Sequence, residues 1–137
     1  FDNACRYNEL LAAETGITRP AEISADGYAV ATSADAPNQD LTTIYHQFTV
    51  QVEHRDQIQQ ALTQAGVGSA IYYPVPLHLQ KVHENLGFAP GDFPNAEQAC
   101  QTCLSLPMFP HMTQEQIETS AAALIAAVAE SRVSVAA

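Results

Sequence analysis

Pro74 and Pro76, two residues apart, constrain this chain more than any other feature. They follow Gly68–Tyr73, a run with strand composition. Each proline removes a backbone donor and fixes φ, so no sheet ladder continues through them. The chain must leave any sheet near Tyr73 and proceed through Leu77 in an extended or polyproline-like path. A stiff exit of this kind fixes the angle of the side chains it carries, here Tyr72, Tyr73 and His78.

Periodicity supplies the elements around it. Asp2 to Glu14 reads as a helix stopped at Gly16. From Ala21 to Thr43 the residues turn small and polar, which predicts a loop with a short strand around Tyr28 to Thr32. Ile44 to Val52 alternates through Tyr45, Phe48, Val50 and Val52 and predicts the clearest strand. Arg55 to Ala65 has Ile58, Leu62 and Ala65 at helical spacing before Gly66. A second strand is expected over Gly68 to Tyr73 and a short third over Leu104 to Leu106. Pro94 suits the first turn of a helix that carries Ala96, Ala99, Cys100 and Cys103 on one face. Thr113 and Gln116 have capping-box spacing ahead of the stripe Ile117, Ala121, Leu124, Ile125 and Val128. The sum is an α+β fold, a small antiparallel or mixed sheet of about three strands covered by helices.

At 137 residues the chain is long enough for one core. Its formal net charge of -10 disfavours nucleic-acid phosphates and anionic membranes. No apolar run approaches the roughly 20 residues a bilayer requires, and a cytoplasmic location is expected. Cys5, Cys100 and Cys103 lack the spacing of a disulfide framework, which fits a reducing compartment.

Three constellations bear on chemistry. Cys100 and Cys103 form a CxxC pair of the kind that, with His78, His83 and His111, would make a zinc or redox site, but the pair lies on an apolar helix face. Buried thiols in a core are the preferred reading there, and no metal site is assigned. Lys81, the one lysine in the chain, has no Gly/Ser-rich phosphate loop beside it and reads as a solvated side chain. Tyr72, Tyr73 and His78 suit sugar hydroxyls and diphosphate oxygens. On residue pattern alone, tyrosines that pack a sheet edge and a histidine that caps a turn come first.

The order of motifs reverses that preference. Residues 66–111 run GVGSAIYYPVPLHLQKVHENLGFAPGDFPNAEQACQTCLSLPMFPH, and this resembles the small C-terminal domain of the DegT/DnrJ/EryC1/StrS aminotransferases. Tyr73, Pro74, Pro76, Leu77 and His78 match the family's His/Tyr-Tyr-Pro-x-Pro-Leu-His segment, and Tyr72 stands where many relatives have His. Arg6-Tyr7-Asn8-Glu9-Leu10-Leu11 is similar to an upstream Arg-Tyr-x-Glu-Leu-Leu helix, and Tyr45-His46-Gln47-Phe48 is similar to a family strand. The resemblance implies that residues 1–20 end an interdomain helix, 21–43 form a polar loop, 44–131 form the small domain and 132–137 form a tail.

It further implies amination of a nucleotide-linked keto sugar, with glutamate as donor, by a homodimeric pyridoxal-phosphate enzyme. Tyr72, Tyr73, His78 and, as a weaker candidate, His46 would face the nucleotide-linked sugar. The Schiff-base lysine of the family lies in a large N-terminal domain with no counterpart here, so the chain alone is expected to lack a cofactor and catalytic residues. The rival expectation is a free-standing, noncatalytic module that binds a nucleotide sugar or docks onto a protein.

Overall fold

Phe48, Val50 and Val52 point the same way along one strand, and all three are buried. They organise the fold. The protein is seen here as a computed structural model that describes residues 2–24, 27–29 and 44–135. Its elements are α1 (Asp2–Leu10), β1 (Ile17–Thr18), β2 (Glu22–Ser24), β3 (Gly27–Ala29), β4 (Phe48–Val52), α2 (Arg55–Gln64), α3 (Pro94–Thr102), β5 (Cys103–Leu106) and α4 (Gln114–Val135). Two 3-10 turns, Leu77–Leu79 and Lys81–Leu86, lie between α2 and α3.

The main sheet has the order β1-β4-β5 and is antiparallel throughout. Phe48 stands opposite Leu106 and Val50 opposite Leu104, so one face of the sheet is continuously apolar. On the other face the hydroxyls of Thr49 and Ser105 meet at 2.8 Å, a cross-strand pair that satisfies both. The apolar face is covered by Tyr7 and Leu11 from the α1 side, Ile58 and Leu62 from α2, and Ile117, Ala121, Leu124 and Val128 from α4. Tyr7 stacks on Phe48 with centroids 4.9 Å apart, and its hydroxyl donates to the Pro107 carbonyl at 3.0 Å. The phenol is thus buried with its one donor used.

Local chemistry explains the helix ends. Past α2, Gly66 takes φ +76°, its N–H bonds to the Thr63 carbonyl and the Val67 N–H bonds to Leu62. That is the Schellman pattern, and its apolar contact is made by the buried pair Val67 and Leu62. At the start of α4, Thr113 Oγ1 accepts from the Gln116 N–H at 3.2 Å while Gln116 Oε1 accepts from the Thr113 N–H at 2.9 Å. The predicted capping box is therefore present.

The α+β sheet-and-helix arrangement agrees with expectation, but its strands differ in part. Gly68–Tyr73 contributes only a single antiparallel bridge, Ala70 to Ser105, because the prolines that follow leave no ladder to extend. Its place in the three-stranded sheet is taken by the short β1, which pairs Ile17 with Val52, while the expected strand at Leu104–Leu106 is present as β5. Residues 44–47 lie outside β4, since Tyr45 turns the chain with φ 47°. The predicted loop contains the antiparallel pair β2–β3, with Ile23 opposite Tyr28. Residues 30–32 of the expected short strand lie outside the described residues, as does most of 21–43. The first helix ends at Leu10 rather than Glu14.

Candidate functional site

Behind the sheet, the chain from Ala70 to Phe93 builds an open groove of about 580 Å³. Its construction starts at Ala70, which exchanges backbone hydrogen bonds with Ser105 at 3.1 and 2.8 Å. Four residues on, the Pro74–Pro76 stretch carries the chain off the sheet, and Pro76 is extended at φ -65°, ψ 146°. The turn Leu77–Leu79 then reverses it, closed by Leu79 N–H to the Pro76 carbonyl at 3.0 Å. Residues 81–86 wind a second turn that ends at Gly87, φ +75°. The floor is α3, whose Ala96, Ala99 and Cys100 face the groove.

Tyr72, Tyr73 and His78 all line this groove. The two phenol rings stand edge to face, centroids 5.7 Å apart, and are exposed at 47% and 69%. The peptide bond between them is cis. Both side chains are exposed where they line the groove, and a phenol hydroxyl can donate to an incoming acceptor.

His78 sits deeper. Its side chain is 7% exposed and packs against Phe93 at 4.8 Å, with Phe88 at 6.4 Å. Nε2 lies 3.0 Å from Glu97 Oε1. Glu97 also accepts from the Gly91 N–H, at 2.8 and 3.1 Å to its two oxygens, and from the Phe93 N–H at 3.4 Å. The Gly91 N–H, and then the His78 and Phe93 donors, hold the Glu97 carboxyl below its usual range against the opposing effect of burial. An ionised carboxylate only accepts, so the proton between the pair belongs to His78 Nε2.

His46 is separated from this set. It lies with Ser69, Ser105 and Met108 around a second pocket of about 430 Å³, and Tyr72 is the residue the two cavities share. Glu97, Phe88 and Phe93 escaped sequence reasoning as site residues. The acid in the first turn of α3 was visible as a helix-start signal, but its three loop and side-chain partners were not.

The CxxC pair is split by burial. Cys103 is buried at 7%, whereas Cys100 is half-buried on the groove floor, so the expectation of two core thiols holds for Cys103 alone. No α3 residue is buried, and Ala96, Ala99 and Cys100 of the stripe line the groove. Burial first, and the neighbouring Cys103, push the Cys100 thiol up, away from the thiolate that metal or redox chemistry uses. Among the described residues, no three His, Cys, Asp or Glu side chains converge on one point. Among the described residues, no helix is long and apolar enough to cross a membrane.

A sequence profile described as the DegT/DnrJ/EryC1/StrS aminotransferase family matches residues 17–125. The chain is 46% identical over 74 residues to the UDP-N-acetyl-3-dehydro-alpha-D-glucosamine 3-aminotransferase of Acidithiobacillus ferrooxidans, a match over 54% of this chain and 20% of that protein. It is 45% identical over 73 residues to a Geobacillus stearothermophilus pleiotropic regulatory protein, covering 53% of this chain and 20% of that one. In three dimensions it resembles DesV of S. venezuelae, solved with a ketimine intermediate, at TM-score 0.74 and 30% identity over 90% of this chain and 29% of DesV. The chain thus spans about a fifth of the curated relatives it matches and under a third of these solved structures.

Enzymes of this fold are pyridoxal-phosphate aminotransferases. Lys81 is exposed at the start of the second 3-10 turn and lines neither the groove nor the His46 pocket.

Proposed function

Because this chain belongs to the DegT/DnrJ/EryC1/StrS aminotransferase family, we propose that it is the small C-terminal domain of an enzyme that aminates a nucleotide-linked keto sugar. The carrying observation is the stiff span that holds Tyr72 and Tyr73 exposed on the groove rim, with His78 fixed behind them. Phenol hydroxyls held at one angle donate to diphosphate or sugar oxygens with little ordering cost. His46 joins them through the pocket it shares with Tyr72.

On this reading the domain binds and orients, and supplies no proton transfer or cofactor contact. Fixing one reactant's geometry lowers a barrier by several kcal/mol without a reacting group. Pyridoxal phosphate would be held outside this domain and would supply the electron sink for amino transfer from glutamate. Leu77 and Val82, exposed at 70% and 73%, fit a surface covered by a large domain and a second subunit in a cytoplasmic homodimer. The same exposure favours the alternative of a noncatalytic docking module, which would self-associate as the isolated chain.

Titration of the chain with UDP-N-acetylglucosamine, followed by amide NMR shifts, tests the binding role. Shifts at Tyr72, Tyr73 and His78 are expected; shifts confined to other surfaces overturn it. Incubation with pyridoxal phosphate, glutamate and a nucleotide-linked keto sugar is expected to give no turnover, and any turnover refutes the noncatalytic assignment.

A further inference from the structure

The span that bears the two phenols is tethered at its ends and little between them. Upstream, Ala70 and Ser105 share two backbone hydrogen bonds. Downstream, His78 meets Glu97 at 3.0 Å. Between these points, among the described residues, the Tyr73 carbonyl has only the Cys103 thiol at 3.9 Å, and the Val75 carbonyl only the Gln80 amide at 3.4 Å. Both contacts are long, so the ends set the position of the phenols.

Glu97 does more than a helix-start carboxylate requires. An acid in the first turn of a helix ordinarily serves that helix's own free N–H groups and dipole. This one takes the Gly91 and Phe93 amides of the preceding loop and an imidazole 19 residues upstream. It joins the turn at Leu77–Leu79, the loop at Gly91–Phe93 and α3 at one point.

We infer that Glu97 is a positioning residue for the Tyr72–Tyr73 contact surface and acts through His78. The inference rests on the proposal that those phenols meet a nucleotide-linked sugar, and adds a residue that does not touch it. The carboxylate accepts from Nε2–H and so fixes the imidazole plane against Phe93. The ring in turn anchors the 3-10 turn that terminates the proline stretch. Loss of the carboxylate releases His78 and the Gly91 loop together, and the phenols lose their downstream anchor.

NMR on the intact chain tests this. In the wild type, the His78 Nε2–H is expected to be protected from solvent exchange, and the Tyr72 and Tyr73 amides to be as ordered as those of β4. In Glu97→Ala the Nε2–H signal disappears and both tyrosine amides shift and gain mobility, while Phe48 and Leu124 stay in place. Glu97→Gln retains the signal and the order, because its amide oxygen still accepts. His78→Phe, which keeps a ring against Phe93, mobilises the tyrosines but leaves the Gly91 amide bonded, and it decides the matter alone if Glu97→Ala fails to fold. Unchanged tyrosine amides in the folded variants overturn the inference and reduce Glu97 to a helix cap. UDP-N-acetylglucosamine is expected to bind Glu97→Ala about tenfold more weakly, the scale of one charge-assisted hydrogen bond. Absence of binding to the wild type sinks the substrate proposal alone, since the amide order still decides the positioning role.

Discussion

Arg55 Nη1 donates to the carbonyls of Cys100 and Cys103, at 3.1 Å each, across 45 and 48 residues of sequence. A buried cation thus closes the C-terminal end of α3, where free carbonyls and the helix dipole favour positive charge. Asp56 holds the same guanidinium through Nε at 2.6 Å. The groove floor is pinned to the start of α2 by this one side chain.

Arg55→Met is expected to destabilise the fold by about 1–3 kcal/mol, because it strands two carbonyls that Arg55 satisfies. Urea unfolding monitored by circular dichroism measures it. A change under about 0.5 kcal/mol would mean that solvent replaces the guanidinium freely.

Two glycines in the left-handed region separate strain from crowding. Gly66 has φ +76° and open space around its Cα, so Gly66→Ala should cost about 1–2 kcal/mol from backbone strain alone. Gly16 has φ +79°, and a Cβ there would also displace the Arg132 guanidinium, which donates to Thr15 Oγ1 at 2.9 Å. Gly16→Ala should therefore cost about 0.5–1 kcal/mol more. Equal losses in thermal unfolding would show that Arg132 moves aside at no expense.

The acid side of the stability profile should carry a Glu97 signature. Its pKa is lowered in the folded state, chiefly by the Gly91 N–H, so its contribution is present above the unfolded value near 4.5. That contribution is lost as pH falls through the folded value, which lies lower. Glu118, lowered first by Gln114 and next by Arg6, behaves in the same sense. Urea midpoints measured from pH 6 to 3 should fall less steeply for Glu97→Gln than for the wild type. Parallel curves would rule out a folded-state shift.

Tyr72→Phe and Tyr73→Phe should leave stability within about 0.5 kcal/mol, because both rings are exposed. Each should weaken UDP-N-acetylglucosamine binding about threefold to tenfold, the loss of one neutral hydrogen bond. Calorimetric titration distinguishes this from a packing role, in which stability drops and affinity holds.

Legibility in the sequence followed the range of the interaction. α2, α3 and α4 were readable because their caps and stripes are local: Gly66, Pro94 and the Thr113–Gln116 box all sit where the spacing placed them. β4 was legible from Phe48, Val50 and Val52, whereas Tyr45 carried strand composition into a turn. β1 gave no signal, since two residues cannot show alternation and its existence depends on Val52. Tyr72, Tyr73 and His78 were singled out through the prolines and the family resemblance, and all three line one groove. Glu97 reaches His78 across 19 residues and Arg55 reaches the C-terminal end of α3 across 45 and 48, and no periodicity encodes such pairings.

Contacts between the two ends of the chain have a consequence for its covalent continuity. Arg6 bonds Glu118 at 2.7 Å, Asn3 bonds the Phe109 carbonyl, Arg132 bonds Thr15, and β1 lies in the sheet beside β4. A chain severed once between β3 and β4 would therefore keep its N-terminal piece seated, and the two pieces should co-elute as a complemented pair until denaturant parts them.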